Sequence, residues 1–138
     1  MQIQEEDIRK ITLELARKEF LYKGFKNVSM RTIARNAEVG LSNIYNYFKN
    51  TDEILKEILT PIIASLYKII DEHNRDENIH IDFTSKEYFK EYTTIFVNLI
   101  TKNKEVLRIL FFKSYGSGLE NFKEEDIQWH NNIIYLNQ

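Results

Sequence analysis

Ser29-Met30-Arg31-Thr32-Ile33-Ala34-Arg35-Asn36-Ala37-Glu38-Val39-Gly40-Leu41-Ser42-Asn43-Ile44-Tyr45-Asn46-Tyr47-Phe48 carries one apolar spacing twice. Met30, Ile33, Ala34 and Ala37 stand at offsets of three, four and seven, and Leu41, Ile44, Tyr45 and Phe48 repeat them. A helix collects positions so spaced on one side, so the pattern predicts two short amphipathic helices. Ser29 is a good N-cap residue for the first. Glu38-Val39-Gly40 breaks the pattern. Two helices joined by a turn of three or four residues containing Gly make a helix-turn-helix.

Upstream, Ile8, Ile11, Leu15, Ala16 and Phe20 predict a helix over 8–23, with Gly24 placed for a left-handed C-terminal cap. That helix braces the pair into a three-helix bundle. Downstream, Asp52 is placed to cap a fourth helix carrying Ile54, Leu55, Ile58, Leu59, Ile62, Leu66, Ile69 and Ile70, and Pro61 inside it predicts a bend. His73 to Phe83 has no helical stripe and reads as a loop. Thr84-Ser85-Lys86-Glu87 has capping-box spacing and opens a helix with Phe89, Tyr92, Phe96, Leu99 and Ile100 on one face. Asn103 is placed to cap a segment from Val106 to Phe112. Ser114-Tyr115-Gly116-Ser117-Gly118 is the clearest turn in the chain, and a last helix is expected from Leu119 through Phe122, Ile127, His130, Ile133 and Ile134. With only four Gly and one Pro, the expected class is all-α.

Periodicity of this kind suits any small helical bundle. More specific are Ile33-Ala34, Ala37-x-Val39 and Tyr45-x-Tyr47-Phe48 at fixed spacing. Phe20 and Gly24-Phe25 precede them, and Thr51-Asp52-Glu53-Ile54-Leu55 follows. In these residues, within about 8–60, the chain resembles the TetR family of bacterial transcriptional regulators. The resemblance implies that the third helix enters the major groove of double-stranded DNA, with Gly40, Leu41, Ser42, Asn43, Tyr45 and Asn46 at the contact. It implies backbone-contacting places for Ser29, Arg31, Thr32 and Lys49. Tyr45 and Tyr47 join an apolar ring to a hydroxyl able to reach phosphate. By chemistry Asn43 and Asn46 suit adenine edges, and Leu41 suits a thymine methyl. Two positions depart from the family pattern: Glu38 stands where Gly is favoured, and Gly40 where Ser is favoured as a cap. Glu38 therefore calls for either a strained positive φ or a differently shaped turn, and Gly40 offers no side-chain acceptor.

Net charge is −2, which alone argues against nucleic acid, but the charge is segregated. Residues 8–50 hold nine Lys/Arg against three Asp/Glu, and residues 51–138 hold ten against fifteen. A basic binding end on an acidic body follows. The expected division is a DNA-binding domain over 1–50 and a helical effector-binding and dimerisation domain over 51–138. The second part is rich in aromatics (Tyr88, Phe89, Tyr92, Phe96, Phe111, Phe112, Tyr115, Phe122, Trp129, Tyr135), for which core packing is the expected role and an apolar pocket the alternative. From the resemblance come a homodimer, an operator as partner, and repression released by a small apolar effector. Family members continue for two more helices, so the second domain is expected to be C-terminally short, or to dimerise through the exposed side of 119–136.

The absence of cysteine excludes disulfides, thiolate zinc sites and cysteine nucleophiles. No run reaches the roughly 18–20 apolar residues that span a bilayer. The start, Met1 to Asp7, is polar and acidic, unlike a signal peptide, so a cytoplasmic protein without membrane contact is expected. An enzyme reading would rest on His73, His80 and His130 with Asp76 and Asp82. Their spacing fits no helix-based ligand motif, so no catalytic residue, metal or cofactor is expected. A helical protein-interaction module without DNA binding is the other alternative, favoured by the net charge and Glu38.

Overall fold

The computed structural model describes residues 5–73 and 86–122. Six α-helices and no strand occur among them: α1 (Glu5–Lys23), α2 (Met30–Ala37), α3 (Leu41–Tyr47), α4 (Thr51–His73), α5 (Lys86–Lys102) and α6 (Lys104–Phe112). A single 3₁₀ turn, Phe25–Asn27, links α1 to α2. The all-α class and the helix-turn-helix are as the spacing predicts, with α1 starting three residues before Ile8. The loop expected from His73 to Phe83 lies outside the described residues except for His73, which ends α4, and the capping box at Thr84 and Ser85 and the last helix beyond residue 122 lie outside them too.

One core joins the first four helices. Ala16, Phe20, Ile33, Ile44, Ile54, Leu55 and Leu59 are fully buried, and Phe48 is 1% exposed. Each apolar series thus turns toward a common centre, where burial of one large side chain contributes about 1.5–3 kcal/mol. Thr12 is also fully buried, on a face where periodicity marks only apolar residues. Its hydroxyl donates to the Ile8 carbonyl at 2.7 Å, which removes the cost of an unpaired buried donor. Polar ties surround the core. Glu19 accepts from Asn36 Nδ2 at 2.9 Å and pairs with Lys23 at 2.8 Å, joining α1 to α2. Arg9 pairs with Glu57 of α4 and lies 5.9 Å from the Phe48 ring centroid.

Three expected caps are corrected. Gly24 has positive φ, but its ψ of 150° is outside the left-handed helical well, because the chain must swing directly into the 3₁₀ turn. Asn50, not Asp52, caps α4: Glu53 N–H donates to Asn50 Oδ1 at 2.9 Å, while Glu53 Oε2 accepts the Lys49 N–H at 3.0 Å. Asn103 stands at the start of α6 without capping it. Its Nδ2 donates back to the Leu99 carbonyl at 2.9 Å and closes the end of α5 instead. The helix α4 runs through Pro61 without interruption. Leu119 lies in a turn rather than a helix.

The helix α6 lies along the second half of α1 and runs in the same direction. Arg17 donates to Glu105 at 2.6 Å, Leu21 shares a groove with Arg108, and the Phe25 N–H donates to the Lys113 carbonyl at 2.8 Å. Leu107, Ile109 and Leu110 of α6 are buried in the same core as α1 and α4. By contrast α5 exposes Phe89, Phe96, Val97 and Ile100. Core packing, expected for the aromatics of the second part, therefore does not hold for Phe89, Phe96, Phe112 or Tyr115, all of which are exposed in the single chain. Tyr67 and Phe111 instead take the ring of Phe122, at centroid distances of 6.2 and 6.4 Å.

Glu38 ends α2 with φ 55° and ψ 36°, the only positive φ outside glycine among the described residues. An L-residue in this well gives up about 1–2 kcal/mol, and a carboxylate at a helix C-terminus faces the negative end of its dipole. Replacement by glycine relieves both terms and adds unfolded-state entropy, which offsets part of the gain. Glu38→Gly is expected to raise unfolding free energy by about 0.5–1 kcal/mol. Urea denaturation followed by circular dichroism reads this, and a loss of stability would contradict it.

Candidate nucleic-acid interface

The orientation of α3 is settled by what it buries. Ile44 and Phe48 point into the core, while Leu41 and Tyr47 are half-buried against it. At 100° per residue, the remaining positions must face away. Ser42, Asn43 and Asn46 are exposed, and Tyr45 is 52% exposed. The Tyr45 ring is thus part of the outer face and not of the core. Gly40 begins the helix in extended geometry without a side-chain cap, as its lack of a side chain requires.

The start of α2 adds to this face. Ser29 Oγ accepts the Thr32 N–H at 3.1 Å and lies 2.9 Å from the Thr32 hydroxyl. Ser29 therefore orders the first turn of α2, and Arg31 follows in that turn, exposed. Arg35, absent from the residues named on sequence grounds, stands one turn further along the same side and is also exposed. An i, i+4 pair of arginines is a signal that the apolar periodicity does not register. Lys49, exposed between α3 and α4, has its backbone N–H held by Glu53. Among the described residues no carboxylate pairs with Arg31, Arg35 or Lys49. Their charge is available to an anionic partner.

The named residues therefore divide into two groups. Gly40, Ser42, Asn43, Tyr45 and Asn46 form one outward strip, with Ser29, Arg31 and Lys49 exposed beside it. Thr32, Leu41 and Tyr47 are half-buried, Thr32 in the capping turn and the other two against the core. Sequence reading missed the supports: Asn36 with Glu19, Arg9 with Glu57, and the Asn50 cap. The capping spacing Asn50-x-x-Glu53 was the signal for the last.

No three His, Asp or Glu side chains among the described residues gather to hold a metal ion. Of the groups in the enzyme reading, His73 ends α4, while His80, Asp76, Asp82 and His130 lie outside the described residues. No helix among the described residues is long and apolar enough to cross a membrane.

Residues 13–58 match the family model for bacterial regulatory proteins, tetR family. The uncharacterized HTH-type transcriptional regulator YhgD of Bacillus subtilis is 30% identical over 105 residues, covering 72% of this chain and 55% of its own. An uncharacterized HTH-type regulator of Haemophilus influenzae is 31% identical over 109 residues, covering 74% of this chain and 50% of its own. The chain thus spans about half the length of the curated relatives it matches. Among solved structures, a TerR/AcrR-family transcriptional regulator from Aquifex aeolicus superposes with a TM-score of 0.63 at 20% identity, over 91% of this chain and 67% of that one. NalD, the secondary repressor of the MexAB-OprM multidrug efflux pump in Pseudomonas aeruginosa, gives 0.56 at 19%, over 95% of this chain and 63% of that one. These superpositions establish a shared fold.

Because Ser29 holds the first turn of α2, Ser29→Ala should lower unfolding free energy by about 1 kcal/mol. Ser29→Asp keeps an acceptor at the same place and is expected to restore most of it. Denaturation of the two variants side by side checks this, and equal losses would remove the capping role.

Proposed function

From the match of residues 13–58 to the model for bacterial regulatory proteins, tetR family, we propose that the chain belongs to that family and is a DNA-binding transcriptional regulator. The observation that carries the reading is the outward strip of α3, held rigidly from behind by Ile44 and Phe48 and flanked by unpaired Arg31, Arg35 and Lys49. A short helix so supported fits the major groove, where Asn43 and Asn46 read adenine edges and Leu41 meets a thymine methyl. Ser29, Arg31, Thr32, Tyr45, Tyr47 and Lys49 contact phosphates, and Gly40 and Ser42 lie at the helix entry. Residues 1–50 form the reading domain in this proposal, and 51–138 the effector and dimerisation domain. The mode of action is repression, relieved by a small apolar ligand. NalD, which shares the fold, is a repressor by its own description.

One helix-turn-helix covers few base pairs, so operator choice calls for two copies about 34–36 Å apart on successive grooves. We assign the homodimer contact to residues 85–138, where α5 leaves Phe89, Val97 and Ile100 uncovered. Light scattering at micromolar concentration should return twice the 16.6 kDa chain mass. A clean monomer at that concentration removes the assignment.

Titration of duplex DNA across salt tests the main reading. Arg31→Ala and Lys49→Ala should weaken binding to every sequence and reduce the salt slope by about one each. Asn43→Ala and Asn46→Ala should reduce discrimination between sequences and leave the slope unchanged. Binding independent of salt, or absent, would favour a helical protein-interaction module instead.

A further inference from the structure

The turn after α6 is more tightly built than its surface position requires. Ser114 is buried and its hydroxyl donates to the Ile109 carbonyl at 2.8 Å. Ser117 is buried too: its hydroxyl donates to the Ser114 carbonyl at 2.6 Å and accepts the Leu119 N–H at 3.0 Å. Glu120 accepts the Gly116 N–H at 2.9 Å. With both hydroxyls and one carboxylate bonded internally, residues 113–120 form a self-bonded turn.

This piece touches two other places in the fold, the 3₁₀ turn after α1 and the first turn of α4. Its Lys113 carbonyl accepts the Phe25 N–H at 2.8 Å, at the 3₁₀ turn that leads into α2. Its Gly118 N–H donates to Asp52 Oδ1 at 2.8 Å, in the first turn of α4. Between them Lys26 Nζ lies 5.4 Å from the Tyr115 ring centroid. Gly116 adopts φ +88°, and a Cβ there would come within 3.4 Å of the Lys26 side chain. The backbone angle requires glycine, while the spacing to Lys26 is ordinary contact.

We propose that Asp52 is a positioning residue, closing a clamp in which the 113–120 turn ties the link between α1 and α2, and the start of α4, to the end of α6. Its carboxylate does not cap α4, where Asn50 already serves. It reaches across 66 positions of sequence to a backbone N–H. The self-bonded turn makes the two hydrogen bonds interdependent: releasing Gly118 loosens Phe25. The consequence for DNA reading rests on the function proposed above.

Asp52→Ala and Asp52→Asn separate the effects. Both remove a negative charge near the DNA-reading unit and so strengthen attraction to phosphate alike. Asparagine keeps an oxygen acceptor for Gly118, whereas alanine does not. Amide hydrogen exchange by NMR on the full chain is the first arm. In Asp52→Ala the Phe25 amide should exchange about tenfold faster, while Ile33 inside α2 keeps its protection. Asp52→Asn should stay near wild type. Gly116→Ala should loosen both Phe25 and Gly118 with Asp52 intact. An unchanged Phe25 amide in Asp52→Ala, with Gly118 exposed, overturns the clamp. The second arm uses a duplex selected from a random-sequence pool by the wild-type chain: Asp52→Ala should bind it about fivefold more weakly than Asp52→Asn, and equal binding overturns the positioning role. If the wild type binds no duplex, the proposed function fails, and the exchange arm alone decides the clamp.

Discussion

Phe48 leaves the end of α3 and enters a core that Phe20 of α1 and Ile54 and Leu55 of α4 complete, while Arg9 covers its ring and pairs with Glu57. Ile44, one turn earlier, is buried in the same core. Those two side chains leave α3 no freedom to roll, since rotation by one residue would carry an Ile or Phe into water and an Asn into the core. Deleting a buried aromatic costs about 3–5 kcal/mol. That is a large part of the 5–15 kcal/mol that holds a domain of this size together. The outward position of Asn43, Tyr45 and Asn46 is thus a consequence of packing behind them. A surface helix held this way can present side chains to a groove without first paying to order itself.

The same core ties the basic end to the later helices. The helix α1 gives one side to α2 and α3 and another to α6, whose Leu107, Ile109 and Leu110 join the cluster. Arg17 with Glu105, and Phe25 with Lys113, repeat the attachment at each end of the α1 and α6 contact. Helix α6 thus packs on the same helix that supports α2 and α3 from behind. Charge is arranged differently from packing. Residues 8–50 carry nine Lys/Arg against three Asp/Glu, and among the described residues Arg31, Arg35 and Lys49 on the α2 and α3 side meet no carboxylate, whereas Arg9, Arg17 and Lys23 do. The net charge of −2 averages over this segregation and conceals it.

What could be read from sequence was what periodicity encodes. The bounds of α2 follow from Ser29 and Ala37, and those of α3 from Gly40 and Phe48, because local spacing and a cap residue decide a short helix. The buried positions Phe20, Ile33, Ala34, Ile44 and Phe48 follow from the same offsets. Burial of Thr12 was not legible, since its hydroxyl is satisfied by its own helix and leaves no mark in the pattern. Nor was the partner of Asp52, as a carboxylate in a first helical turn reads locally as a cap or a dipole partner. Nothing local points to Gly118. The aromatics of α5 misled for a further reason: an apolar stripe shows that a helix has a side to cover, and leaves open whether this chain or another covers it. In the candidate site, the outward strip was legible through the family resemblance, whereas Arg35 and the Asn36 to Glu19 support required the fold.

The turn at Glu38 shows which level of structure governs the site. Local preference is against it: an L-residue is placed in the left-handed well, its carboxylate at the wrong end of the α2 dipole. Gly40 contributes no side-chain cap to α3 either. Even so, the Val39 N–H reaches the Ala34 carbonyl at 3.0 Å and the Glu38 N–H reaches Arg35 at 3.2 Å, so α2 closes properly. The geometry is imposed from outside, by Ile33 and Ala34 anchored on one side of the turn and Ile44 and Phe48 on the other. Two anchored helices leave the linking residues only one path, whatever residue occupies position 38. Tertiary burial sets the angle between α2 and α3, and the turn conforms.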